Sequence, residues 1–292
     1  MLSKRGFLFE SHYLEALSDE RFTAPDYWKI GRDTWTLYQY GEGFKVVYLK
    51  YGGESLGNRS LRAKPLSANE KEKRLSQSIS RTKSTIFELA FCNEFSHFCT
   101  FTQNEEFVCD RFDLSTFRKD LAQFVRNQNR GRNEKIKYLF VPEQHKNGAW
   151  HMHGLVGGLT AADLREFTLK ERLPNKIRQQ LKKGEKVYNW EKYSKKFGFF
   201  TATDIKSHEA CAKYVTKYIT KDVAENAIKH GQHMFFASQG LRRREIVHRV
   251  ELEPCPIAKW DYENDYIKTA WFDNAEELAK AWLLSPNWDS NQ

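Results

Sequence analysis

Apolar positions along the chain fall into alternating and four-spaced stretches, and each stretch predicts an element. Thr34–Tyr40 and Phe44–Tyr51 alternate about Gly41-Glu42-Gly43 and predict a β-hairpin. Ser67-Ala-Asn-Glu70 has the form of a capping box, and Leu75, Ile79, Ile86 and Leu89 continue it as a helical stripe. A strand around Phe98–Thr102 leads to a helix whose face includes Leu114, Phe117, Leu121, Phe124 and Val125, capped by Asp113 or Ser115 and ended by Gly131. Residues 136–157 read as two strands joined at Lys146-Asn147-Gly148, because Asn-Gly favours a tight hairpin. Thr160-Ala-Ala-Asp163 opens a short helix, Phe197–Ile205 reads as the next strand, and His233–Ser238 as another. Asn274–Leu284 reads as helical.

The stretch 206–225 is predicted to be one helix. Ser207 is placed to cap it, Cys211, Val215 and Ile219 recur every four residues, and no Gly or Pro intervenes before Gly231. Val215, Thr216, Ile219 and Thr220 are β-branched and weaken its propensity, so the helix depends on packing against a sheet. Strand, helix, strand, strand is the order of an α+β domain, an antiparallel sheet with helices packed on it.

Tyr214-Val-Thr-Lys217 is followed at once by Tyr218-Ile-Thr-Lys221. On a helix four residues advance about 400°, so both phenols leave one face roughly 6 Å apart, each with a lysine three residues on. A phenolate can attack a phosphodiester and keep the phosphoryl group as an ester, and a nearby ammonium lowers the phenol pKa. A helix that gives aromatics to a core and lysines to water would show the same pattern.

In the second constellation His151 and His153 alternate with Met152, so both imidazoles leave one face of a strand. Glu143 lies on the preceding strand, where the hairpin can bring its carboxylate across to them. Two imidazoles and a carboxylate form a three-ligand set with positions left open for water and substrate.

His151-Met-His153 followed downstream by the doubled Tyr-x-x-Lys resembles the HUH endonuclease superfamily, specifically its two-tyrosine rolling-circle replication initiators of single-stranded DNA bacteriophages, plasmids and prophages. Phe98-Cys-Thr-Phe-Thr102 is similar to a third motif of that family. The order also fits, with the histidine strand before the tyrosines, and the resemblance covers about residues 95–250. It implies a ferredoxin-like antiparallel HUH nuclease core. It also implies one Mg²⁺ or Mn²⁺ on His151 and His153, with Glu143 as third ligand and His145 and Gln144 as neighbours competing for that place. Tyr214 or Tyr218 would attack the scissile phosphate, with Lys217 and Lys221 positioning phosphates or tuning the phenols, to leave a 5′-phosphotyrosyl DNA and a free 3′-OH. The second tyrosine would cut the regenerated origin, and rejoining would close a circle without a nucleotide cofactor. The implied partners are single-stranded DNA at a replication origin and a host polymerase.

Composition narrows the setting. Lys plus Arg number 47 against 38 Asp plus Glu, a formal net charge of +9 over 292 residues, which suits a polyanion partner. Five cysteines without a Cys-x-x-Cys pair read as reduced thiols. No apolar run is long enough to span a bilayer, and no signal peptide follows Met1, so no membrane role and a bacterial cytoplasmic location are expected. No Gly-x-x-x-x-Gly-Lys-Ser/Thr loop occurs, so strand separation would fall to a host helicase.

Three regions are expected. Residues 1–94 hold the hairpin and a basic helix region, 95–250 the nuclease domain with a basic insertion at 158–196, and 251–292 an acidic segment. In the first, Trp35, Tyr38, Tyr40 and Tyr48 read as a small hydrophobic subdomain in preference to a base-stacking surface. Arg59 to Lys83 carries eight basic residues against Glu70 and Glu72. Arg165–Lys196 carries eleven basic residues against four glutamates, interleaved with Tyr188, Trp190, Tyr193 and Phe197. Arg165, Arg172, Lys176, Arg178, Lys182, Lys183 and Trp190 are the expected DNA contacts of a flap over the site. Arg242, Arg243 and Arg244 form a basic turn that would hold the backbone. Trp260, Trp271, Trp282 and Trp288 punctuate the acidic segment, which would pack on the core or meet a host replication protein. A transposase or mobilisation protein using the same chemistry and a non-catalytic origin-binding regulator are the rival readings.

Overall fold

The computed structural model describes residues 33–50, 67–229, 233–251, 255–265 and 267–283. Tyr51, the basic residues from Arg59 to Lys64 and Trp288 lie outside the described residues. The chain divides into two units, 1–84 with 243–292, and 85–242. Each has its own antiparallel sheet with helices, an α+β fold.

The first unit is built on the expected hairpin, β1 (Thr34–Tyr40) and β2 (Gly43–Leu49), turned by Gly41 at φ 59°. The hairpin recruits strands distant in sequence. β10 (Glu245–Glu251) pairs with β1, and β12 (Ile267–Phe272) pairs with β2 and with β11 (Tyr262–Glu263), giving the order β10-β1-β2-β12-β11. Trp35, Leu37 and Val46 meet Ile257, Ala270 and Leu278, the last from α7 (Ala275–Leu283). Trp260 and Trp282 pack on this cluster, and Trp271 lies against Tyr40 with ring centroids 4.9 Å apart. These C-terminal tryptophans are therefore core residues of this unit. The division between units falls within α1 (Ala68–Phe91), whose capping box forms as expected, with Ser67 N–H donating to Glu70 at 2.8 Å.

The second unit holds a seven-stranded sheet. Its strands are β3 (His97–Thr102), β4 (Lys137–Gln144), β5 (Trp150–Gly157), β6 (Arg165–Glu166), β7 (Tyr188–Asn189), β8 (Phe200–Asp204) and β9 (Phe236–Ala237). They lie in the order β6-β7-β8-β3-β5-β4-β9. The β4–β5 hairpin turns where Asn-Gly predicts it, with Gly148 at φ 87°. One face is covered by α2 (Leu114–Gln128), which starts at Asp113 where the carboxylate accepts from the Ser115 and Thr116 N–H groups. Its Leu121, Phe124 and Val125 pack with Phe101, Phe140, Trp150, Met152 and Phe200 in a dry aromatic core.

The expected flap is part of this sheet. β7 pairs with β8 and β6 with β7, while α3 (Asn175–Lys182) anchors through buried Ile177 on Phe167, Leu173 and Val187. Thr160–Asp163 forms no helix. Its Asp163 carboxylate accepts from Thr160 N–H and pairs with Arg132.

The predicted helix 206–225 is two helices, α5 (His208–Thr216) and α6 (Lys221–Lys229). Ser207 caps the first as expected, accepting from Ala210 N–H at 3.2 Å. The break follows from Thr220, whose hydroxyl accepts from Val223 N–H and whose carbonyl accepts from Ala224 N–H, so it serves as N-cap of α6. Tyr218 and Ile219 bridge the two helices with short-range bonds to Val215 and Thr216.

Candidate active site

Strand register places the histidine set. Glu143 stands opposite His151, and β3 lies on the other side of β5 with Thr102 opposite His151 and Thr100 opposite His153. Because side chains alternate, Trp150 and Met152 enter the α2 core while His151 and His153 leave the other face. Gly154 completes the approach of β5 to β4, since a Cβ there would sit 2.0 Å from the Leu139 carbonyl oxygen.

Each imidazole is held from behind. His153 Nδ1 is 3.0 Å from Thr100 Oγ1, and His151 Nδ1 is 3.0 Å from Thr102 Oγ1. His145 stacks on His151 with centroids 3.7 Å apart, and Glu143 Oε2 lies 2.7 Å from His153 Nε2. Burial holds both imidazoles below the usual histidine value. His151 falls to about 4, helped by His145 and His153, and His153 to about 3, helped by Lys176. Both rings are therefore neutral near pH 7 and keep a lone pair for a ligand.

The donor set suits a divalent cation in kind. Two neutral imidazoles with hydroxyl partners on Nδ1 stand beside one carboxylate, the arrangement that orients histidine ligands. Among the described residues no three His, Cys, Asp or Glu side chains converge as a ready-made metal group. The reason is local: Glu143 occupies His153 Nε2 with its own hydrogen bond, which a cation would replace.

The tyrosines reach the same place by a route other than the predicted one. Tyr214 is in α5 and Tyr218 beyond its end, yet the Tyr218 hydroxyl donates to the Tyr214 oxygen at 3.0 Å. Tyr218 lies flat on His153, with centroids 4.3 Å apart and planes at 6°. It is 9% exposed, whereas Tyr214 is 38% exposed. Phe98 of β3 meets Tyr214 edge-on at 5.1 Å and stacks near Tyr218 at 6.5 Å. Lys217 holds its ammonium 3.4 Å from the Tyr214 ring centroid and 5.2 Å from that of Tyr218.

These neighbours split the two phenols. Burial raises Tyr214, but hydrogen bonds from Lys217 and Tyr218 and the charges of Lys217 and Lys176 outweigh it, so its pKa lies below the ordinary phenol value. Tyr218 is raised, by burial first and then by its bond to Tyr214 and the charge of Glu143. Together they have one phenol disposed to ionise and one disposed to donate. Glu143, Gln144, Trp150, Lys217, Tyr218, Thr220 and Val223 line a cavity of about 390 Å³ at this point.

The remaining expected residues divide. Lys221 begins α6 and lies 3.9 Å from Glu225, so it is not the counterpart for Tyr218 that Lys217 is for Tyr214. Lys176 is exposed on the insertion, and its charge reaches both His153 and Tyr214. Arg172, Arg178, Lys182 and Lys183 are exposed, while Arg165 is held by Glu171 and Glu191. Trp190 requires correction as a DNA contact. It is 0% exposed and packs edge-on against Phe124 and Phe200, because this aromatic run fills the sheet core. Tyr193 and Phe197 are buried in the same core. Arg242 accompanies the second unit, its N–H donating to the Asn93 side chain. Arg243 and Arg244 belong to the first, where Arg244 donates to the Tyr40 hydroxyl at 2.8 Å. Sequence reading missed roles for Thr100, Thr102 and Phe98. Their signal was the alternation of the Phe98–Thr102 strand, which puts all three on one face.

Residues 96–223 match the family model of the replication-associated protein ORF2. The match runs from β3 through the histidine strand to the tyrosines. No curated protein and no solved structure gives a significant match. Among the described residues no helix is long and apolar enough to cross a membrane.

Proposed function

We propose that the chain initiates rolling-circle replication by nicking one DNA strand and rejoining it through a tyrosine ester. The observation that carries this reading is the meeting of Tyr214, Tyr218 and Lys217 on the face of His151 and His153. The match to a replication-associated family favours an initiator over a transposase.

Tyr214 is the first nucleophile. Its hydroxyl is the more exposed, it accepts the Tyr218 hydrogen bond, and Lys217 stabilises its phenolate. As the phenolate oxygen bonds to phosphorus, the bond to the 3′ oxygen breaks, and that oxygen leaves with its electron pair and takes up a proton. The products are a 5′-phosphotyrosine and a 3′-OH for a host polymerase, with a host helicase opening the duplex. The reverse attack by a 3′-OH restores the tyrosine and seals the strand. One ester replaces another at each step, so no nucleotide is consumed.

Mg²⁺ or Mn²⁺ held by His151, His153 and Glu143 would polarise the scissile phosphate and offset its charge. Thr100 and Thr102 fix the two rings, and a hydroxyl can serve either imidazole tautomer. Lys176 and the exposed cations of the insertion hold the strand at its phosphates.

The test is a denaturing-gel and intact-mass assay with Mn²⁺ and single-stranded DNA tiled from the gene's own locus. A covalent adduct that maps to Tyr214 and disappears with EDTA is expected. If neither single-stranded tiles nor supercoiled duplex gives an adduct while binding persists, the nicking function is refuted and the origin-binding regulator stands instead.

A further inference from the structure

The largest cavity among the described residues lies on the sheet face opposite the histidines. It is a cleft of about 910 Å³ between α2, β4 and the segment around β9. Met152, which separates His151 from His153 in sequence, lines this cleft, so the two sites stand on opposite faces of β5. A strand lying here cannot be the segment at the tyrosines.

The lining is basic and aromatic. Arg118, Arg126 and Lys137 are exposed at its rim, and no Asp or Glu lines it among the described residues. None of the three pairs with a carboxylate there: Arg118 lies 4.5 Å above the Phe236 ring and Arg126 donates to Gln123. Phe235, Phe236 and the half-buried Tyr138 supply the rings, with Tyr138 stacked on Phe140 at 4.5 Å. Burial pushes the Tyr138 phenol up while Arg118 and Arg126 pull it back, so both guanidinium charges reach the floor. Unneutralised cations above exposed rings, in a volume near the upper end of the roughly 300–1,000 Å³ of ligand sites, match an anion that carries flat aromatic groups. A single phosphate would leave the rings unused, and an acidic peptide would do the same.

We infer that this cleft is a second single-stranded DNA subsite, with unpaired bases on Tyr138 and Phe235 and phosphates on Arg118, Arg126 and Lys137. It rests on the nicking reading only for taking the polyanion to be DNA. Binding here gives the protein a hold on the strand that does not depend on the reacting phosphate.

The experiment uses the full chain carrying Tyr214→Phe and Tyr218→Phe, so that binding is not covalent. Photocrosslinking to a 20-mer oligothymidylate containing 5-iododeoxyuridine, followed by peptide mass mapping, should mark the peptides of Tyr138 and Phe235. Arg118→Ala with Arg126→Ala should weaken binding at least tenfold and lower the salt slope by about 1.4, at about 0.7 for each single-strand phosphate no longer neutralised. Lys119→Ala with Arg130→Ala, exposed charges outside the cleft, should stay within twofold. Crosslinks confined to peptides around Tyr214 and His153, or equal losses in the two variant pairs, would overturn the inference. So would a polyglutamate peptide that binds as tightly and is lost with the same arginines. Failure of the nicking reading looks different: the crosslinks and the arginine dependence remain while unmodified protein forms no adduct at Tyr214.

Discussion

Strand β5 presents two environments one residue apart. Trp150 and Met152 point into a core of rings with no ionisable group among them, and their neighbours are fixed by shape alone. His151 and His153 point to a face where nearly every contact is a hydrogen bond or a charge: Thr100, Thr102, Glu143, Tyr218 and, through its field, Lys176. The dry face determines where the backbone lies. The polar face depends on that placement, because a register slip of one residue would exchange the two sets. Stability and chemistry are thus divided between alternate side chains of one strand, and substitutions on the two faces should separate them.

The sharpest separation comes from the nucleophiles. Tyr214→Phe with Tyr218→Phe should remove adduct formation to background on a denaturing gel and leave the unfolding midpoint nearly unchanged. Of the single variants, Tyr214→Phe should lose the more, given its exposure and lowered pKa. Next in size, Met152→Ala on the opposite face should cost about 2–5 kcal/mol of stability by leaving a cavity, measured by denaturant unfolding, with chemistry retained in the folded fraction. A Met152→Ala protein of full stability would break the comparison.

Thr100→Val tests whether the polar face also needs support from behind. It should lower Mn²⁺ affinity about 10–100-fold by titration, Thr100→Ser should restore it, and the melting temperature should move little. The smallest effect sharpens the difference between the two phenols. The phenolate of Tyr214 is the reactive form, so the single-turnover rate should rise with pH and level off above a midpoint below the ordinary phenol value of about 10. Lys217→Met removes the charge that favours the phenolate. The rising limb should move to higher pH, and an unmoved limb would show that Lys217 does not set it.

Much of the site could be read from the chain because its signals are local. Asn147-Gly148 fixes the hairpin, and a hairpin fixes which residues face each other, so Glu143 opposite His151 followed from a turn and a two-residue period. Asp113 and Ser207 cap their helices through contacts within three residues of themselves. The replication-family match covers the stretch that contains these motifs.

What the chain alone did not determine depends on residues distant in sequence. A basic, aromatic segment reads equally as a DNA flap or as a sheet edge, and only the pairing of β7 with β8 decides that Trp190 is buried. β10, β11 and β12 have little apolar alternation of their own and became strands because the hairpin of β1 and β2 offered unpaired edges. The tyrosine segment is the clearest case. Its four-residue spacing made one helix plausible, but Thr220 could cap as well as continue, and local propensities differ by less than about 1 kcal/mol per residue. Packing of Tyr218 on His153, across 65 residues of sequence, accompanies the break. Periodicity and caps are short-range and carried in sequence. Which polar groups meet across the sheet is set by the summed burial of the whole unit, and that sum exists only once the chain has folded.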